Sequence, residues 1–198
     1  MTERRRAAAA ACGFTGDQAG ARALLADDAP VVRAAALGAL CRLGELSGRD
    51  ATAAAADPAA VVRRTLAELA DPAAAASYAA LLDDPDAGVV EAACFACGEL
   101  AQIGALGRLA EIAQHHEDPL CRESAVAALG AIGAPEGLDA VLGALADRPE
   151  IRRRAVVALA AYEGPEVTAA LRERLQDRDW QVRQAAEDVL RLSEREPS

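Results

Sequence analysis

Lysine and asparagine are absent from the 198 residues. Without lysine there is no P-loop lysine for a nucleotide phosphate and no amine for an internal Schiff base, and without asparagine there is no N-glycosylation acceptor. Aromatic residues are almost as scarce: Phe14, Tyr78, Phe95, Tyr162 and Trp180 are the whole set, 3% of the chain. No run approaches the roughly 18 apolar residues of a membrane-spanning helix. Strand formers are few, and no segment alternates with period two for long enough to read as a strand. The five cysteines (Cys12, Cys41, Cys94, Cys97 and Cys121) are odd in number and scattered. They do not form a secreted disulfide framework, and a reducing cytosol is the expected compartment. Thr2 to Ala11 imitates a charged leader followed by an apolar stretch, but alanine is too weakly apolar and the run too short for a signal peptide.

What the chain does have is alanine, 53 residues by count. With 53% hydrophobic and 26% charged residues the composition is that of a globular protein. Its apolar volume must come from Ala, Leu and Val, which suits thin, closely approaching helices, so the chain reads as all-α. The formal net charge is −10 and is evenly spread: 9 Arg face 14 acids in residues 1–99, and 12 face 17 in residues 100–198. Neither half carries the basic excess that nucleic-acid phosphates require, and no nucleic-acid partner is expected.

A phrase recurs along the sequence, with an acid and often a proline before a β-branched residue, an arginine and a small-residue-rich helix. It occurs at Asp27 to Leu40, Asp57 to Arg63, Asp84 to Val90, Asp118 to Leu129, Asp147 to Arg152 and Asp177 to Ala186. Anchored on Arg33, Arg63, Val90, Arg122, Arg152 and Arg183, successive copies lie 30, 27, 32, 30 and 31 residues apart. Each period has room for two helices. In the first copy Thr15 is the expected N-cap of a helix from Asp17 to Ala26, followed by a turn at 27–29 and a second helix from Pro30 to about Leu43. Pro72, Pro135 and Pro165 sit where first helices should begin, and Gly44, Gly133 and Gly164 are expected at helix ends. Such a pair cannot bury its apolar face alone, so the copies must stack.

These residues resemble the HEAT repeat superfamily, and the short period is most similar to the HEAT-like repeats of phycobilisome bilin lyases. The resemblance covers about residues 15 to 193. It implies a right-handed α-solenoid of about six two-helix repeats as a single domain, preceded by an N-terminal helix or cap at 1–14 and followed by a polar tail at 194–198. It also implies an Asp–Arg ladder between adjacent repeats. Asp27 with Arg33, Asp57 with Arg63, and Asp177 with Arg183 have the family's six-residue spacing. Copies four and five shorten it, and Val90 replaces the arginine in copy three, so an interruption is expected at the centre.

At 100° per residue, the positions 3, 6, 7 and 10 beyond each anchor form the core face, read as Ala36, Ala39, Leu40 and Leu43 in copy one and Ala125, Ala128, Leu129 and Ile132 in copy four. Positions 1 and 5 lie opposite. If second helices line the concave side, as in the families this resembles, these positions form the partner-binding face: Ala34, Gly38, Arg64, Glu68, Glu91, Phe95, Glu123, Ala127, Arg153, Val157, Gln184 and Asp188. Phe95, Ala127 and Val157 make an apolar stripe within it, flanked by charge, with Phe95 as a binding anchor or, alternatively, packed into a neighbouring repeat.

Four other features carry two readings each. Cys94 and Cys97 form a CxxC spacing, half of a zinc or iron–sulfur site, yet they occupy positions held elsewhere by Leu37, Val126 and Leu129, so both are expected in the core. His115 and His116 are a metal or general-base candidate, or simply favourable side chains at a helix C-terminus. Arg152, Arg153 and Arg154 suggest anion binding, although the first holds the ladder position. Trp180 is expected to cover the open end of the core.

No nucleophile elbow, glycine-rich phosphate loop or HExxH motif is present. No catalytic residue, metal or cofactor is therefore expected, and the leading expectation is a non-catalytic scaffold or adaptor that binds a protein or peptide in its groove. The family resemblance leaves two alternatives, a bilin-lyase-like subunit that attaches or isomerises a tetrapyrrole and, more remotely, a HEAT-like DNA glycosylase.

Overall fold

A computed structural model describes residues 1–193; the polar tail expected at 194–198 lies outside the described residues. Thirteen α-helices account for the described chain, and no strand occurs among those residues. The described helices fall into two compact units, residues 1–100 and 101–193, each a stack of two-helix repeats of the α-solenoid kind.

In the first unit α1 (Thr2–Thr15) precedes three helical pairs. These are α2 (Gln18–Leu24) with α3 (Pro30–Leu43), α4 (Gly48–Ala55) with α5 (Ala60–Leu69), and α6 (Ala75–Leu81) with α7 (Ala87–Glu99). The second unit holds α8 (Leu106–His115) with α9 (Pro119–Ile132), α10 (Leu138–Gly143) with α11 (Pro149–Ala158), and α12 (Pro165–Arg174) with α13 (Trp180–Ser193). Consecutive second helices pack side by side, α3 on α5, α5 on α7, α9 on α11 and α11 on α13, while α1 covers the free side of α3.

Local signals start and stop these helices largely as the sequence implies. Pro72 and Pro135 open 3-10 turns that lead into α6 and α10, and Pro165 opens α12, each at a position whose missing N–H costs no hydrogen bond. Gly44 and Gly133 end α3 and α9 in the left-handed conformation, at φ 69° and 65°. Two expectations are corrected. Thr15 is the last residue of α1 rather than an N-cap. The cap of α2 is Asp17, whose carboxylate accepts the Gly20 N–H at 2.8 Å, because a carboxylate so placed satisfies a free helix donor. Gly164 starts α12 rather than ending a helix, with φ 132° immediately before Pro165.

The core follows the expected phase. Ala36, Ala39, Leu40, Ala125, Ala128 and Leu129 are buried, while Leu43 and Ile132 at helix ends are half-buried. The row four residues past each anchor, Leu37, Ala67, Cys94, Val126 and Val156, is also fully buried. Cys94 and Cys97 are thus core side chains, and burial pushes the Cys97 thiol up to about 11. The five cysteines form no disulfide. The small residues have a packing purpose that is clearest at Gly130. A Cβ there would stand 2.6 Å from the Ala158 Cβ and 2.8 Å from its Cα, so α9 and α11 touch backbone to backbone.

The repeat arginines bind repeats together by a rule different from the one the spacing suggested. Each sends Nη1 back to a carbonyl of its own turn, at 2.8 Å in every case: Arg33 to Asp27, Arg63 to Asp57, Arg122 to His116, Arg152 to Asp147 and Arg183 to Asp177. The remaining fork, Nε and Nη2, grips the aspartate of the following repeat in both oxygens. The pairs are Arg33–Asp57 (2.7 and 2.7 Å), Arg63–Asp84 (2.6 and 2.8 Å), Arg122–Asp147 (2.7 and 3.0 Å) and Arg152–Asp177 (2.9 and 2.7 Å). Shortened spacing in copies four and five therefore leaves the ladder intact, since an arginine's carboxylate partner is not its own. The aspartates are held from the other side by the turn, as when the Ala59 N–H donates to Asp57 at 2.9 Å and the Asp179 N–H to Asp177 at 2.9 Å. At the N-terminal end Arg5 of α1 reaches Asp27 at 3.0 Å. Val90 is buried and brings no charge, so the ladder is interrupted in copy three as expected.

Four outcomes test this account. Gly130→Ala should lower stability by about 1–3 kcal/mol through overpacking against Ala158, read by chemical denaturation. The Arg152 and Asp177 side chains are only 5% and 4% exposed, and Asp177→Asn should cost about 3–5 kcal/mol because it strands a buried guanidinium. The arginine fork holds the carboxyls of Asp57, Asp147 and Asp177 below their usual range, against the opposing effect of burial. Since a depressed carboxyl contributes stability above its unfolded pKa of about 4, the melting temperature should be flat above that pH and fall below it, less steeply in Asp177→Asn. With a thiol reagent at pH 8 the native protein should react first at Cys41, which is half-buried, and at Cys94 and Cys97 only after unfolding.

Candidate functional site

The second helices present one row of residues away from the core, and within the first unit this row is mostly exposed. Arg64 and Glu68 pair along α5 at 3.2 Å. On α7, Glu91 is half-buried and Phe95 is 50% exposed. Phe95 is therefore a surface side chain rather than one tilted into a neighbouring repeat. Ala34, expected on the same row, is instead buried, because α1 covers α3.

In the second unit the row is better formed. Ala127, Gly130 and Ala131 of α9 and Arg154, Val157 and Ala158 of α11, with Ala160 and Ala161 beyond it, line a groove of about 350 Å³. Val157 is 49% exposed on its wall. One edge carries charge, where Arg154 donates through Nη2 to Glu123 at 3.2 Å. Ala127 and Val157 thus line one groove, with Glu123 bonded to Arg154 at its edge. Arg153 points to solvent and lies outside the groove lining, while Arg154 takes the place by the groove that the sequence reading gave to Arg153. The groove itself was not read from the sequence. Gly130, where α9 and α11 touch, is part of its lining. Gln184 and Asp188 on α13 are exposed and bonded to each other at 3.1 Å.

The remaining candidates separate. Arg152, Arg153 and Arg154 do not converge on an anion: the first is held by Asp177, the third by Glu123, and the second is exposed. His115 ends α8, and His116 accepts the Asp118 N–H through Nδ1 at 3.1 Å while its carbonyl receives Arg122. Among the described residues no three His, Cys, Asp or Glu side chains gather as a metal site would need. Trp180 is 64% exposed and does not cover the end of the core, because its place at the first position of α13 turns the ring outward.

Two tyrosines matter structurally in a way the sequence did not disclose. The single hydroxyl hydrogen of buried Tyr78 is shared between the carbonyls of Asp71 at 3.1 Å and Leu66 at 3.3 Å, and burial pushes the tyrosine's pKa up to about 12. Tyr162 donates to the Leu129 carbonyl at 2.9 Å, so in each unit a tyrosine joins a second helix to an element beyond it.

With this geometry the chain can be set beside known proteins. No curated protein matches the sequence significantly. Among solved structures an engineered protein aligns with a TM-score of 0.66 at 19% identity, covering 88% of this chain and 97% of its own. Human deoxyhypusine hydroxylase, solved with glycerol, gives 0.54 at 22% identity over 97% of this chain and 80% of its own. A designed armadillo repeat protein in complex with the peptide (KR)4 gives 0.55 at 19% identity over 91% and 83%. At these identities the likeness is one of fold. The family model described as HEAT repeats matches residues 74–155 and again 108–191, together more than half of the chain. The protein belongs to the HEAT repeat family.

Proposed function

We propose that the protein is a non-catalytic scaffold or adaptor whose second-helix faces bind a protein or peptide. The observation that carries this reading is the groove between α9 and α11, apolar along Ala127, Gly130, Ala131, Val157 and Ala158 and edged by the Arg154–Glu123 pair. An apolar floor with one oriented charge pair suits a side-chain anchor from a peptide, with the pair fixing its direction. Exposed Phe95 offers a comparable anchor in the first unit. Repeat proteins of this fold serve as binding surfaces, as the armadillo design with its basic peptide illustrates. A net charge of −10 favours a basic or neutral partner over an acidic one on these faces. The cysteines, none in a disulfide, agree with a reducing compartment such as the cytosol. The bilin-lyase and glycosylase alternatives rest on family resemblance alone.

A displayed peptide library selected on the full chain tests the proposal. Selected peptides should carry an apolar anchor beside basic residues. Their affinity should fall by about tenfold or more in Val157→Arg, which fills the groove, and in Phe95→Ala for any peptide that engages the first unit. Because Val157 is half exposed, the melting temperature of Val157→Arg should stay close to that of the parent. Selected peptides that bind Val157→Arg and Phe95→Ala as tightly as the parent would overturn the assignment.

A further inference from the structure

Five ladder arginines share the same internal bond, but only four of the five have their forks filled. Arg183 donates Nη1 to the Asp177 carbonyl at 2.8 Å and to the Arg178 carbonyl at 3.3 Å, as Arg33 does to Asp27 and Asp28. This holds the guanidinium plane in the same pose. Among the described residues its Nε and Nη2 meet no acceptor, whereas the equivalent atoms of Arg33, Arg63, Arg122 and Arg152 each meet an aspartate at 2.6–3.0 Å.

The surroundings of Arg183 differ from those of the other four in two respects. The first position of the second helix is Pro30, Ala60, Ala87, Pro119 and Pro149 in the earlier copies and Trp180 here, one turn before Arg183 on the same face and 64% exposed. Four residues past the arginine, the row Leu37, Ala67, Val126 and Val156 that is buried elsewhere becomes Glu187, exposed and paired with Arg191 at 3.0 Å. The open fork and the exposed indole lie in the first turn of α13.

We infer that the first turn of α13 is a second binding site, in which Arg183 takes the carboxylate of an aspartate at a helix-starting turn of a partner protein and Trp180 packs on the apolar residues that follow it. The four filled forks define the ligand chemistry, since each holds an aspartate whose second role is to accept a backbone N–H of its own turn, as Asp57 does from Ala59. The pre-set fork needs no rearrangement, which limits the entropy lost on binding. Arginine and tryptophan are also among the residue types enriched at the energetic centres of interfaces. This site lies outside the α9–α11 groove and does not depend on it.

The test uses the full chain and a blocked, helix-stapled peptide with the sequence of residues 57–69, which presents an aspartate-led turn. The side-chain Nε–Hε signal of Arg183, assigned by its loss in Arg183→Gln, should shift and saturate on titration, while those of Arg33, Arg63, Arg122 and Arg152 stay in place. Affinity should drop about tenfold when the peptide's aspartate becomes asparagine and in Arg183→Lys, which keeps the charge but not the fork. Trp180→Ala should weaken binding severalfold, and Val157→Arg should leave it unchanged. An Arg183 signal that does not move, that moves equally with the asparagine peptide, or that responds as strongly to acetate at the same carboxylate concentration would overturn the assignment. So would binding that persists unchanged in Arg183→Lys.

Discussion

The arrangement depends on a bidentate arginine–aspartate pair repeated between consecutive second-helix turns. Its components are expensive to bury, and a charge taken from water is tolerated only when its hydrogen bonds are complete. Here they nearly are. One arm of each guanidinium goes to a carbonyl of its own turn and the fork goes to the next aspartate. The same aspartate also caps its turn by accepting a backbone N–H. Each pair thus couples the conformation of one turn to the position of the next, and it fixes the register in which alanine-rich helices, otherwise able to slide, are stacked.

That register gives the small residues their effect. An alanine or glycine surface has little relief to key one helix against another, and its advantage is close approach. At Gly130 the approach is so tight that no Cβ fits, and the two tyrosine hydroxyls at Leu66 and Leu129 satisfy carbonyls near these junctions. The candidate groove is lined by the same small residues, Ala127, Gly130, Ala131 and Ala158, that bring α9 and α11 together.

Much of the fold was legible because its signals are local. Pro72, Pro135 and Pro165 mark helix starts through the missing N–H, Gly44 and Gly133 mark ends through their left-handed backbone, and Leu40 and Leu129 fall on the core face by angle alone. The misreadings are equally instructive. Thr15 and Asp17 are both capable caps two residues apart, and the length of α1 decided between them. Ala34 has the phase of a surface residue but is buried, because α1 covers its helix, which phase cannot reveal. The site was legible only in part: Val157 and Phe95 are exposed opposite the core, Glu123 is half-buried, and Arg154 rather than Arg153 reaches it.

The sequence by itself determined the period, the pairing of helices and the face each helix buries, because these follow from backbone periodicity and from residues a few positions apart. Tertiary structure alone decided which aspartate each arginine holds, where backbones touch and which exposed residues share a groove. Those contacts join residues 21 to 33 positions apart, from Arg63 with Asp84 to Leu129 with Tyr162. Their geometry depends on the rise and rotation from one repeat to the next, which no single copy of the motif encodes.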